Sequence, residues 1–365
     1  MASRALESAL SGYVRARFGA GVEILAAEKI GGGELAGKGF GYGDVLRLRL
    51  AGAPWSDVVI HTTRRGGFGH DTLADRAAAA LEPWTTFGNL PAHVRAVDVG
   101  TIDGDGALRS LGDVRDFFLV TAWGPGEPFA RDLDRIAKEG AATEEDEARV
   151  ERLAEHLAKI HRDKHDAPEL WARRLRELVG HHECIAGLVD SYDGHAEPGV
   201  PTPETLRAIE HWSLDWRHRL KPFASRLCRV HGDFHPWNVL FEGQGYARRM
   251  TLLDRSRGEW GEAADDLAAM AINFLFFSWR AGHPADGPFA ALYRRFFETY
   301  LRATGDLEVL RVIPPFLAWR ALVVASPVWY PHLDGDVRAR IFRFVDDLRR
   351  DERIDLSKTA EHFAR

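Results

Sequence analysis

Cysteine is scarce: the 365 residues hold two, Cys184 and Cys228. Two thiols in so long a chain make no disulfide framework, so a reducing cytoplasm is the expected setting, with both thiols serving as small buried hydrophobes. Long apolar runs are lacking too. The greasiest stretch, Ala268 to Trp279, is interrupted by Asn273 and Ser278 and falls short of the roughly 18 residues a membrane span needs. It reads as a buried core helix, and no membrane partner is expected. The opening MASRALESALSGYVRARFGAG has neither an apolar h-region nor a cleavage pattern and reads as a short amphipathic helix. Nor is there an excess of positive charge. The 48 Lys and Arg are outnumbered by 54 Asp and Glu, for a net charge of −6, which argues against a general nucleic-acid binder. What remains is an ordinary globular composition, 45% hydrophobic and 28% charged, long enough for about two lobes and a large core.

The first third alternates strand signals with glycine. Strands are expected over Val22 to Ile30, Asp44 to Leu50, Trp55 to Thr63, His93 to Ile102 and Asp116 to Ala122, with an Ala-rich helix over Asp71 to Leu81, giving a sheet of about five strands. Gly31 to Gly43 carries seven glycines and no period. GPGEP, Gly124 to Pro128, breaks the chain, so the lobes are expected at 1–122 and 123–365. The second lobe reads as helical over Glu144 to His161, Trp171 to Val189, Glu204 to Leu220, Glu262 onward, Pro288 to Thr304, Leu307 to Val324 and Asp336 to Arg349. Three short apolar runs interrupt it at Arg226 to Val230, Val239 to Phe241 and Met250 to Leu253.

Chemistry concentrates at those three runs. His231-Gly232-Asp233 ends the first, Asn238 opens the second five positions after Asp233, and Asp254 ends the third. Two carboxylates and an amide thus sit on tight loops at strand ends, where a scaffold can hold them. Phosphoryl transfer needs such a set: a carboxylate that orients the attacking hydroxyl and accepts its proton, and hard oxygen ligands for Mg²⁺ on the phosphates. Asp233 is the candidate base, with Asn238 and Asp254 the candidate metal ligands.

HGD-x4-N followed by an apolar strand ending in Asp resembles the aminoglycoside phosphotransferase and choline kinase superfamily, relatives of the protein kinases. DRSRGEWGEAADDLA, LAEHLAKIHRD and DFFLVTAWGPGEP resemble, in turn, the segment from that family's metal-binding Asp to its structural Asp, its leucine-rich helix ending in Leu/Ile-His, and its hinge. The resemblance implies an α+β, bilobal protein-kinase-like fold, with a small antiparallel sheet lobe and a larger, mainly helical lobe. It implies ATP or GTP as co-substrate, Mg²⁺ as cofactor, and a small-molecule hydroxyl as acceptor, in a monomer or homodimer. Asp266 falls on the structural Asp, and His231 is expected to fix the catalytic loop. The glycine segment, with Gly31, Gly32 and Gly33, is expected to cover the phosphates, and backbone near Thr121, Ala122 and Gly124 to bind the base in the cleft beneath it.

The chain departs from that family in two places. The third strand of the small lobe should carry a phosphate-holding Lys, followed by a Glu on the next helix. Here the strand reads VVIHTTRR, Lys29 and Lys38 being the only lysines before Lys138. His61 occupies the Lys position, with Arg64, Arg65 or Lys38 as substitutes, and the helix offers Asp71 and Asp75. The departure leaves three readings: an active small-molecule kinase, a weak or dead nucleotide-binding relative, and an enzyme that modifies protein. After Asp254, Arg255-Ser256 replaces an apolar residue and glycine, which questions the conformation of the metal loop. Trp260, Trp279, Trp319 and Trp329 are candidates for an acceptor pocket, though core packing is the simpler role.

Overall fold

Apolar and charged residues alternate along DVLRLRL, and this segment becomes the middle strand of a three-stranded antiparallel sheet. The computed structural model describes residues 4–30, 43–66, 69–89, 91, 94–112, 114, 116–243, 249–255, 257–351 and 353–364. They fall into two compact units, Met1–Thr121 and Ala122–Arg365.

In the first unit, helix α1 (Arg4–Phe18) precedes strands β1 (Glu23–Ile30), β2 (Gly43–Ala51) and β3 (Asp57–Thr63), then α2 (Leu73–Thr86) and a separate hairpin of β4 (Gly100–Ile102) and β5 (Leu108–Ser110). Leu10 and Val14 of α1 pack with Val22, Leu48, Leu50 and Val58 into a small core on one face of the sheet. Directly opposed residues share a face. Ala27 opposes Leu48, which opposes Val58, on the core side, whereas Ile30, Val45 and His61 align on the other side. A bulge between Ile24 and Ala26 sets this phase.

One expected strand is shorter and another is not formed. Among the described residues from 94 to 102, only Gly100–Ile102 is strand. The residues before it are tied to α1 by side chains instead, Tyr13 donating to Asp98 (2.6 Å) and Arg17 to the Val97 carbonyl (3.1 Å). Asp116 to Ala122 has no strand at all, and Phe118 and Leu119 are about nine-tenths exposed (91% and 87%). Among the described residues β4 and β5 pair only with each other, so the sheet ends at β3 and offers this segment no partner strand. Among them, the expected sheet of five is a sheet of three and a hairpin.

The second unit is helical around short ladders. In chain order it holds β6 (Glu127–Pro128), α3 (Phe129–Glu139), α4 (Glu144–Ile160), α5 (Pro168–Gly180), α6 (Ile185–Asp190), α7 (Pro203–Leu220), β7 (Cys228–Arg229), β8 (Val239–Glu242), β9 (Arg249–Leu252), β10 (Trp260–Gly261), α8 (Ala263–Ala281), α9 (Pro288–Thr304), α10 (Val309–Val312), α11 (Pro314–Ala325), α12 (Gly335–Asp351) and α13 (Thr359–Ala364). Strand β8 lies between β6 and β9, and β7 pairs with β10, all antiparallel. Helix α8 is buried on nearly every side and packs against α9, α11 and α12, as an all-round apolar helix must. Two expected helices are split. Trp171 to Val189 breaks after Gly180, where His182 turns to φ +24°. Leu307 to Val324 breaks before Pro314-Pro315, since proline lacks the N–H a continuing helix needs and begins a new one readily. Among the described residues no helix is long and apolar enough to cross a membrane.

Candidate active site

The β7–Asp233 loop is fixed from behind by one carboxylate. Asp266, wholly buried in the first turn of α8, accepts the backbone N–H groups of His231 and Gly232, both at 2.7 Å. His161, the C-cap of α4, reaches the same carboxylate through Nε2 (3.1 Å) and meets the Tyr300 hydroxyl at Nδ1 (3.0 Å). Burial pushes the Asp266 carboxyl up, but the bonds from His161, His231 and Gly232 outweigh it and hold it below the usual carboxylate range. Gly232 takes φ +89°, and a Cβ there would lie 3.2 Å from Cβ of Arg257, so glycine is the residue that fits.

His231 accepts the Asp233 N–H at Nδ1 (3.2 Å) and bonds the Leu253 carbonyl with its other nitrogen. Burial lowers its pKa, keeping it neutral as a hydrogen-bonding brace of the loop. This fits the expected loop-fixing part better than that of a base.

Asp233 is largely buried. Burial alone would raise its pKa; His235, whose Nε2 lies 3.5 Å from Oδ2, and the nearby charge of Arg320 more than reverse this and hold it well below the usual carboxylate range. Asp233 is therefore ionised at neutral pH. His235 also caps the short 3-10 turn Pro236–Asn238, accepting the Trp237 N–H at 3.2 Å.

That turn delivers Asn238. Its Nδ2 donates to the Asp233 carbonyl (3.1 Å), which leaves Oδ1 as the side chain's acceptor. Leu253 N–H bonds the Asn238 carbonyl (2.9 Å), so Asp254 follows directly on the strand neighbour of Asn238. Asp254 adopts φ +50°, rare for a residue with a side chain, and its carboxylate is exposed with no ion pair among the described residues. An amide oxygen and a free carboxylate on neighbouring backbones are hard donors that fit Mg²⁺. The unusual Arg255 has its own task. It donates twice to the Val230 carbonyl (3.1 and 2.8 Å) and once to that of Glu259 (3.2 Å), tying the loop after Asp254 to the end of β7. Ser256 lies outside the described residues.

Family membership is decided by a match over residues 53–313, which spans this constellation, to the model of the APH family, the phosphotransferase enzyme family. The chain belongs to that family. No curated protein matches this phosphotransferase-family chain. Among solved structures it is similar to a glucosamine kinase in complex with glucosamine, ADP and inorganic phosphate, at 21% identity over 60% of this chain and 59% of that one, TM-score 0.42. This phosphotransferase-family chain thus spans about three-fifths of that kinase. Others are an ethanolamine kinase of Plasmodium vivax (11%, covering 85% and 81%, TM-score 0.38) and a spectinomycin phosphotransferase in complex with ADP and spectinomycin (12%, covering 98% of each, TM-score 0.31).

In the first unit of this phosphotransferase-family chain, His61 is exposed on the sheet face opposite the small core, in a row with Ile30 and Val45, while the next row of that face holds Val59 with Arg47 and Glu28. Lys29 and Arg64 are both paired to Asp44 on the other side (2.5 and 2.8 Å). Asp75 closes the capping box of α2 with Thr72. Gly31, Gly32, Gly33 and Lys38 lie outside the described residues. Among the described residues, no backbone partner is found for Thr121, Ala122 or Gly124, and a Cβ on Gly124 would come within 3.0 Å of Leu253. The four tryptophans have separate settings. Trp279 is core against Phe344, Trp260 stacks on His165, Trp329 is half exposed, and Trp319 is buried with its N–H on the Glu183 carbonyl (2.8 Å).

Sequence reasoning missed Arg320 and Asp265. Arg320 on α11 donates to Asp233 Oδ1 (2.6 Å), the Gly232 carbonyl (3.0 Å) and Asp265 Oδ1 (2.6 Å). A signal was available: PPFLAWRALVVA is wholly apolar but for this Arg, and a charge on such a helix must find a buried partner. Asp265 is pushed up to about 6, chiefly by burial and opposed by Arg320.

Proposed function

We propose that the chain transfers the γ-phosphate of ATP or GTP to a hydroxyl of a small molecule. The observation that carries this reading is the ionised Asp233, on a loop whose carbonyl holds the Asn238 amide, with Asn238 and Asp254, unpaired among the described residues, at the adjoining ends of β8 and β9. Asp233 Oδ2 faces the acceptor hydroxyl and takes its proton while the hydroxyl oxygen bonds to the γ-phosphorus and the bond to the β-phosphate oxygen breaks. Asn238 and Asp254 would hold Mg²⁺, which when bound neutralises phosphate charge. The open sheet face with Ile30, Val45 and Val59 receives the nucleotide base, and His61 reaches phosphate. Backbone groups of Thr121, Ala122 and Gly124, without a backbone partner among the described residues, would bond the base edge. Most of the rate comes from positioning and charge neutralisation.

A second reading, a nucleotide-binding protein without turnover, is favoured by the lack of lysine on β3. Thermal-shift titration with Mg-ATP and Mg-GTP, followed by transfer from γ-labelled nucleotide to a panel of amino sugars, aminoglycosides, amino alcohols and nucleosides, separates the two. Stabilisation with transfer supports the kinase. Stabilisation with neither transfer nor phosphate release supports the second reading. Label on protein instead of the small molecules would point to a protein acceptor.

A further inference from the structure

Arg320 is buried to 5% exposure on a helix of apolar residues, a placement that costs several kcal/mol unless the charge is fully used. Its two terminal nitrogens are divided between two carboxylates. Nη1 holds Asp233 Oδ1, and Nη2 holds Asp265 Oδ1 and the Gly232 carbonyl. The guanidinium lies over the Trp319 ring, its carbon 3.9 Å from the ring centre, while Arg257 approaches the same indole at 4.9 Å. Trp319 is itself fixed through Glu183, which also pairs with Arg257 (3.0 Å). Asp265, next to the loop-bearing Asp266 on α8, ties Arg320 to the same helix end that orders His231 and Gly232.

This arrangement treats the two oxygens of Asp233 differently. Oδ1 is occupied by a charge-assisted bond, whereas among the described residues the contact of Oδ2 is His235 at 3.5 Å. We propose that Arg320 is a positioning residue, anchored by Asp265, that locks the Asp233 carboxylate so that Oδ2 alone is presented to the acceptor hydroxyl. The inference rests on the reading of Asp233 as the base. The geometry demands arginine, since a lysine ammonium is a single point donor that cannot span both carboxylates and the carbonyl.

The test compares Arg320→Lys, Arg320→Gln and Asp265→Asn in the full-length protein by steady-state kinetics, melting temperature and a crystal structure of Arg320→Lys. Arg320→Lys keeps the buried charge and is expected to melt near the parent. Its kcat should fall about 10- to 100-fold with the KM for nucleotide and acceptor within about twofold, the Asp233 carboxylate being rotated in the crystal. Asp265→Asn should give a smaller fall in kcat, again at constant KM, and covers the case in which Arg320→Gln does not fold. Parental kcat in folded Arg320→Lys and Asp265→Asn overturns the inference, as does a rise in KM alone. If the parent protein shows no transfer, the kinase reading has failed; the crystal structure then decides the positioning claim separately, an unmoved Asp233 side chain overturning it.

Discussion

The two units spend their sequence differently. In the second, the loop from His231 to Asn238 is held by a wholly buried carboxylate, by Arg320 and by Arg255, and behind it lies a continuous core of aromatic and aliphatic side chains. In the first, the core cluster has six buried residues among those described, one sheet face is uncovered among them, and an apolar segment from Phe117 to Val120 is exposed. The proposed base, Asp233, sits on the unit whose loop is held by several buried partners. The unit proposed to receive nucleotide keeps one sheet face uncovered among the described residues, with Ile30, Val45 and Val59 lying beside Glu28, Arg47 and Asp57. The difference teaches that, if the proposed roles hold, the proton acceptor is deeply braced and the nucleotide grip lightly built, so the two can vary independently.

The comparison breaks most sharply at Asp233. Asp233→Ala should lower kcat by about 10²- to 10⁴-fold while Mg-nucleotide still raises the melting temperature. Preserved turnover would remove the second unit's claim to the chemistry. Asp266→Asn comes next. It leaves at least one buried N–H without its acceptor and should cost about 3–5 kcal/mol in urea unfolding. Its pH dependence has a definite sign. Because Asp266 is held below the usual carboxylate range when folded, its stabilisation is complete above the unfolded value near about 4 and is lost as pH falls through the lower folded value. The parent should therefore weaken in acid below about pH 4, and Asp266→Asn less steeply. Leu48→Ala tests the small core, with a cost of about 2–4 kcal/mol confined to the first unit. An early unfolding transition that spares the tryptophan-rich second unit would sharpen the contrast. The smallest effect belongs to His61→Ala, a rise of about fivefold in nucleotide KM, equivalent to roughly 1 kcal/mol, with His61→Lys at or below the parental value. No change in either would take His61 out of nucleotide binding.

Most of the second unit was legible in the sequence because its signals are local. Loops at strand ends announced Asp233, Asn238 and Asp254, and the helical period placed α4, α7, α9 and α12 within a few residues. The role of Asp266 was legible only through the family resemblance. The breaks after Gly180 and before Pro314 were written in helix-breaking residues that the apolar period overrode. Arg320 escaped because it lies 87 positions from Asp233, and no period or spacing encodes a contact over that range. The first unit was less legible for a related reason. DFFLVTA has the composition of a strand, but a strand exists only with a neighbour, and pairing is not written in the segment itself.

The bulge between Ile24 and Ala26 has a consequence for the missing lysine. Were β1 to run without it, every later residue would slip by one against β2, and Lys29 would stand opposite Val45 in the row that contains His61, with Ile30 displaced to the far side. Whether this sheet shows an amine or a hydrocarbon to its open side is thus settled by one extra residue in an edge strand. A family member could trade one for the other by moving that kink along the chain, without altering a single residue in β3.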